Sequence, residues 1–368
     1  MGGSGGTPAG PIWHVRGVVL PDDEVRDLWL VGDRVTMRPV AGAVTLADRG
    51  FVLPGLVDAH CHIGIRQGPA PVESVDEARQ LAIVDRDAGV LALRDAGSPL
   101  PYAELDHDPA MPRLARAGRH VASPRRYLRD IGAEVEAEQL PAAVTAQAAA
   151  GTGWVKLVGD WIDRESGDLA PSWDLGAMAR AVAAAHEAGA RVAAHLFAED
   201  SVAALVRAGV DSVEHGTGLS EADIAEMASR RTALVPTMIN VDTFDEIAAK
   251  AVDKFPGYAA HMRRLGRRFP AVVAAAHEAG VPIYVGSDAG GGIAHGRAAD
   301  EMLMLHDRAG MSTMDVLRAG SWGAREWLGF AGLTEGGLAD LVLYDEDPRL
   351  DLRVLRAPRL VVLRGIPR

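Results

Sequence analysis

Residues 53–64 read Leu-Pro-Gly-Leu-Val-Asp-Ala-His-Cys-His-Ile-Gly, an apolar run opened by Pro54-Gly55 and ended by two histidines with one residue between them. Successive side chains of a strand point to opposite faces, so His60 and His62 project together and Cys61 points away from them. Working outward, the same construction recurs: RVAAH ends on His195, VDSVEH on His215 and PIYVGSD on Asp288, each followed by a loop. Eight short apolar runs are strand candidates, at 55–62, 89–95, 117–122, 154–158, 191–195, 210–215, 233–237 and 282–288. Ala-rich helical stretches fill most of the gaps, the pattern of a parallel sheet covered by helices. Eight is the count that a closed (β/α)8 barrel of the TIM type requires. A doubly wound open sheet is the alternative, but no Gly-x-Gly-x-x-Gly turn follows an early strand.

Two joints nearly repeat each other, Ala185-His-Glu-Ala-Gly189 and Ala276-His-Glu-Ala-Gly280. Each places Gly where a helix should end and His in the last turn, so His186 and His277 read as end-of-helix residues rather than ligands. Segment 256–269, basic and aromatic, reads as a helix over the barrel mouth. Both chain ends carry short strand-like pieces separated by turn residues: WHVRGVVL, LWLVGDRVTM and FVLP within 12–53, LADLVLYD and VVLRGIP within 338–368. They suggest a small β-sandwich domain, residues 1–53 plus 333–368, flanking a barrel at 54–332.

With 368 residues, 48% of them hydrophobic, the chain can bury a sizeable core. A net charge of −12 argues against nucleic acid or an anionic membrane as the main partner, leaving a small-molecule substrate and room for a homo-oligomer. The single cysteine, Cys61, rules out an intramolecular disulfide and a cysteine-built zinc site. The start, MGGSGGTPAGPIW, has neither the basic opening nor the apolar stretch of a signal peptide, and no window is apolar enough to span a bilayer. A cytoplasmic protein is the expectation. Arginine outnumbers lysine 35 to three, which together with abundant Ala and Gly suggests a GC-rich bacterial genome.

Four histidines and one aspartate at the ends of different apolar runs would converge on the C-terminal rim of a barrel, where active sites sit. Histidine and carboxylate are the ligands that catalytic zinc takes. Taken singly, each of these residues also reads as a satisfied polar group at a strand end. Lys156 interrupts WVKLV in a chain that otherwise avoids lysine. A buried ammonium is costly unless paired or neutralised. It reads either as a partner for nearby Asp160 or as an amine converted by carbon dioxide to an anionic, metal-bridging carbamate.

In chain order, a His-x-His pair, a lysine, two single histidines and an aspartate resemble the amidohydrolase superfamily, most closely its imidazolonepropionase- and prolidase-like branch. LPGLVDAHCHIG, GVLALRDAG, WVKLVGD, VAAHLF, VEHGTG, VGSDAGG and GLADLVLYDEDP carry the resemblance over almost the whole chain. It implies a metal-dependent hydrolase acting on a C–N bond in an amide, N-acyl amino acid, dipeptide or cyclic amide. His60 and His62 would hold one divalent ion with Asp288, His195 and His215 a second, and carboxylated Lys156 would bridge the two. Zinc is the first expectation, although manganese, iron and cobalt use the same ligands. Two ions about 3.5–4 Å apart would share a hydroxide, and Asp288 would take its proton as the catalytic base. A mononuclear deaminase or cyclic-amidine hydrolase with a structural Lys156, a lactonase, and a non-catalytic binding barrel are the rival readings. Substrate contacts are expected from Arg125 and Tyr127 in SPRRYLRDIG, from His120 and from His295 in GGGIAHGR. An arginine there would pair with a substrate carboxylate through a two-toothed fork, solvated surface arginines being the other reading. Asp160 and Trp161 would form another wall.

Overall fold

The computed structural model describes residues 10–368, so the Gly/Ser-rich start at residues 1–9 lies outside the described residues. Strand Leu56–Cys61 pairs in parallel with Val90–Asp95, which pairs with Arg113–Arg116. A second parallel set runs through Val121–Ala122, Trp154–Val158, Arg191–Leu196, Ser212–His215 and Ala233–Val235. Segment 282–289 carries single bridges on both sides, Ile283 to Leu234 and Ala289 to Cys61, and so lies between the last of these strands and the first strand. Helices Val75–Asp87, Leu140–Ala150, Leu175–Glu187, Glu199–Ala208 and Glu221–Arg230 occupy crossovers between parallel strands. The result is an α/β fold of the TIM-barrel type.

Every residue of Leu56–Cys61, Val90–Asp95 and Trp154–Val158 is buried, as expected where helices cover a parallel sheet. Side-chain oxygens of Ser74, Asp174 and Ser220 accept the backbone N–H three residues on and so start their helices. Both Ala-His-Glu-Ala-Gly joints end helices, with His186 and His277 in the last turn and Gly189 and Gly280 at positive φ just beyond. The helix expected at 256–269 runs further, as Pro256–Glu278.

Two of the expected strands take a different form. Run 117–122 is broken, because Gly118 turns to φ +70. The ladder to Val90–Asp95 is made earlier, by Arg113–Arg116, and only Val121–Ala122 reaches the strand carrying Lys156. Run 282–288 is not a regular strand. Gly286 lies so close to the first strand that a Cβ there would sit 2.6 Å from that of His60, and Asp288 turns to φ +55.

Strands from both chain ends pair in one eight-stranded sheet. Phe51–Leu53 lies at its middle, parallel to Trp13–Val19 on one side and antiparallel to Leu341–Tyr344 on the other. Its apolar face gathers Val15, Leu28, Leu30, Val52, Leu343 and Val362 in a cluster separate from that of the barrel.

Candidate active site

His60, His62, Lys156, His195, His215 and Asp288 meet at the floor of one cavity of about 520 Å³. His60 Nε2 and His62 Nε2 lie 3.2 and 3.1 Å from the same Asp288 oxygen. Lys156 Nζ lies 3.3 Å from His60 Nε2, and His195 Nδ1 lies 3.0 Å from His215 Nε2. Ligand atoms of His60, His215 and Asp288 all fall within 4.8 Å of one another. The backbone is bent to bring this about. The ladder slips register between Asp58 and Cys61, the stretch that holds His60, and bulges of this kind commonly re-aim a side chain beside a site. His215, Thr237 and Asp288, closing three successive strand positions, all adopt left-handed φ of +65, +50 and +55. Such strain in residues other than glycine persists only where the surroundings impose it.

The rear nitrogens of three of the four imidazoles are each held by a different partner. His62 Nδ1 lies 3.0 Å from the Gly97 carbonyl, His215 Nδ1 2.6 Å from the Thr237 hydroxyl and His60 Nδ1 2.6 Å from Glu214. These contacts leave the Nε2 lone pairs of His60, His62 and His215 facing the floor. His195 is reversed, with Nε2 toward Asp160 at 3.9 Å and Nδ1 facing inward. Fixing the far ring nitrogen, as is done for His60, His62 and His215, is what metal-ligating histidines require. Burial drives the His195 imidazole well below its usual pKa and that of His215 to about 3, so both rings are neutral and free to donate a lone pair. The donor set therefore fits divalent metal.

Behind the floor stands a buried ion pair. Arg94 donates to both oxygens of Glu214 at 2.7 Å and to the Ala59 carbonyl at 2.5 Å. Its guanidinium lies over Trp154, 4.6 Å from the ring centroid. Burial opposes the Glu214 anion, but Arg94 and His60 hold its carboxyl well below the ordinary range. Asp58 accepts the backbone N–H of His60 at 3.1 Å and of Ser287 at 3.0 Å, tying the first strand to the segment that carries Asp288. The sequence reading missed Asp58, Arg94 and Glu214, although all three sit inside apolar runs where a charge is as anomalous as Lys156. Lys156 itself does not pair with Asp160, whose carboxylate accepts the backbone N–H groups of Phe197 and Ala198 at 2.9 and 2.8 Å. Burial lowers the Lys156 ammonium to about 8 against the pull of Glu214 and Asp288.

The cavity wall is largely aromatic. Trp161 and Phe197 lie 5.3 and 4.3 Å from the His195 ring, and Tyr127 stands edge-on to Trp161 at 4.9 Å. Tyr258, from the start of the long helix, lines the mouth. Of the four expected substrate contacts, only Tyr127 lines the cavity. His120 is fully buried behind it, stacked between His62 at 4.9 Å and Tyr127 at 5.2 Å. His295 turns away to Asp85, 2.7 Å distant, because that carboxylate also accepts the Gly296 N–H and pins the loop there. Arg125 is exposed, while Arg126 is taken up by the carbonyls of Trp161 and Ala170 at 3.1 and 2.8 Å. Asn240, Thr243, Glu246 and Lys250 also line the wall and were not foreseen. The scarcity of lysine that singled out Lys156 pointed equally to Lys250.

A barrel-type fold with histidines, a lysine and an aspartate gathered at strand ends defines a class of hydrolases, and the wider comparison agrees. Residues 51–365 match the amidohydrolase family, and the chain belongs to it. An uncharacterised protein of Mycobacterium tuberculosis strain H37Rv is 52% identical over 353 residues, covering 96% of this chain and 94% of that one. A Xaa-Pro dipeptidase with methionine bound in its active site superposes with a TM-score of 0.81 at 23% identity, over 97% of this chain and 99% of the other. The Aspergillus niger (A. niger) ochratoxinase superposes with a TM-score of 0.79 at 18% identity, over 96% and 95%. Enzymes of this family act on small molecules and generally use a metal centre. Among the described residues no helix is long and apolar enough to cross a membrane.

Proposed function

We propose that this chain is a cytoplasmic, metal-dependent hydrolase that cleaves a C–N bond in an amide, N-acyl amino acid, dipeptide or cyclic amide. Two divalent ions, zinc first among them, would be held by His60, His62, His195, His215 and Asp288, with Lys156 as a bridging carbamate. The observation that carries this reading is the convergence of those six side chains, from distant parts of the sequence, on one cavity floor. Carbamate formation needs a neutral amine, and burial, which lowers the Lys156 ammonium to about 8, raises the share of that form. The separate apolar cluster of the terminal strands supports a small β domain at 1–53 plus 333–368 beside a catalytic barrel at 54–332.

Divalent ions held by His60, His62, His195, His215 and Asp288 would supply Lewis acidity for a substrate carbonyl and lower the pKa of water. Asp288, close to both His60 and His62, accepts the proton as water oxygen bonds to the carbonyl carbon. As the C–N bond breaks, the same carboxyl returns that proton to the departing nitrogen, giving a carboxylic acid and an amine. Glu214 and Thr237 keep His60 and His215 in fixed tautomers meanwhile. Trp161, Phe197 and Tyr258 screen the reacting bond from bulk water.

Elemental analysis of protein purified with bicarbonate and without chelator tests the centre. About two ions per chain are expected, with a loss on Lys156→Ala. One ion, unaffected by that substitution, would sink the carbamate and shift the search to deaminase and cyclic-amidine substrates.

A further inference from the structure

The charges of the cavity wall are unlike those of the rest of the chain. Two of the three lysines line the cavity, and none of the 35 arginines does. Lys156 belongs to the floor. Lys254, which is not in the wall, lies over Phe255 at 5.2 Å. That leaves Lys250, on the helix Phe244–Ala251, exposed and forming no ion pair among the described residues. Glu246 is one turn earlier on the same helix and lines the same wall without neutralising it. Of the arginines that adjoin the wall in sequence, Arg66 pairs with Glu73 and Glu77 and Arg126 with carbonyls, while Arg125 and Arg129 are exposed and lie outside the cavity lining.

Resting on the hydrolase reading above, we propose that Lys250 determines specificity by pairing with a carboxylate on the substrate. The substrate class is then an N-acyl amino acid with a large apolar side chain. Its apolar group packs on the His195 side of the floor, where Trp161, Phe197 and Tyr127 form a surface suited to a flat ring. Its carboxylate meets Lys250 at the rim. An ammonium is a compact point charge that imposes no planar geometry, so it serves a ligand anchored mainly by its ring. Glu246, about 6 Å back along the helix, repels a second anionic group and disfavours acidic side chains.

The test uses the metal-loaded enzyme and two ligands without a scissile carbonyl, N-ethyl-L-phenylalanine and N-ethylphenethylamine, which differ by the carboxylate. Calorimetry should show the carboxylate giving about twofold to fivefold tighter binding, the size of an exposed ion pair. Lys250→Met should erase that difference and Lys250→Arg keep part of it. With N-acetyl-L-phenylalanine as substrate, Lys250→Met should raise KM by a like factor and leave kcat unchanged. The carboxamide of that substrate should be indifferent to the change, and Glu246→Gln should improve N-acetyl-L-aspartate. A carboxylate preference that survives Lys250→Met, or that is absent from the start, overturns the assignment. If these substrates are hydrolysed without the preference, the hydrolase reading stands and this one falls. If the Lys250-dependent preference is present and no amide is cleaved, the reverse holds.

Discussion

The floor and the wall of the cavity are built by different means. Apart from Asp288, which the irregular segment 282–289 carries, floor residues sit at strand ends or, like Lys156, within a strand, where ladders to neighbouring strands fix the backbone and so fix where each side chain starts. Residues at the wall and lip come from loops, a short hairpin strand and helices, and several side chains there are aimed by partners found across the fold. His195 and His215 face one another because their strands are paired, Leu196 opposite His215. His295 faces away because Asp85, 210 residues earlier, captures it. Position along a strand can be read from sequence, whereas capture by a distant partner cannot.

Substitutions can break or sharpen this contrast. Asp288→Asn removes the proton acceptor at the floor and should lower kcat/KM by about a thousandfold on any amide the enzyme cleaves, with circular dichroism unchanged. A loss under tenfold would remove Asp288 from the catalytic role. Arg94→Met strands the Glu214 anion behind the floor and should cost about 3 kcal/mol in urea unfolding. An unchanged midpoint would mean that the buried pair does not hold the floor.

At the lip, burial works against a charged His295, but Asp85 more than offsets it and raises the imidazole pKa. That charge therefore contributes stability in full below the unfolded value, about pH 6.5, and the contribution fades as pH climbs through the raised pKa. His295→Asn should remove about 1 kcal/mol at pH 6 and flatten stability against pH above that point. A slope that persists in the variant assigns the pH dependence elsewhere. Arg125→Ala, on an exposed loop residue, should change stability by less than about 0.5 kcal/mol and leave KM within twofold. A KM increase comparable to that of Lys250→Met would return Arg125 to the substrate site.

Much of the fold was legible because buried parallel strands are apolar throughout and each interruption stands out. Val57-Asp-Ala-His-Cys-His, WVKLV and RVAAH declared themselves in this way. The third strand was misplaced because Ala117 and Val121 look continuous, and nothing local shows that Gly118 adopts φ +70 between them. Residues 282–288 carry a strand-like alternation, yet the close approach of Gly286 to His60 is a tertiary fact. Arg94 and Glu214 were visible as charges within apolar runs but could not be matched to each other, being 120 residues apart. At the rim, SPRRYLRDIG suggested two reaching side chains, Arg125 and Tyr127, of which Tyr127 reaches the cavity.

The placement of Phe51–Leu53 between Trp13–Val19 and Leu341–Tyr344 sets an order for synthesis on the ribosome. The strand emerges early, but its antiparallel neighbour follows some 290 residues later, a wait of about 15–60 s at ordinary elongation rates. Throughout that interval Val52 and the apolar face of Trp13–Val19 lack the cover that Leu343 and Val362 give them in the finished sheet. Leu341–Tyr344 thus completes a sheet whose first strands were made some 290 residues earlier.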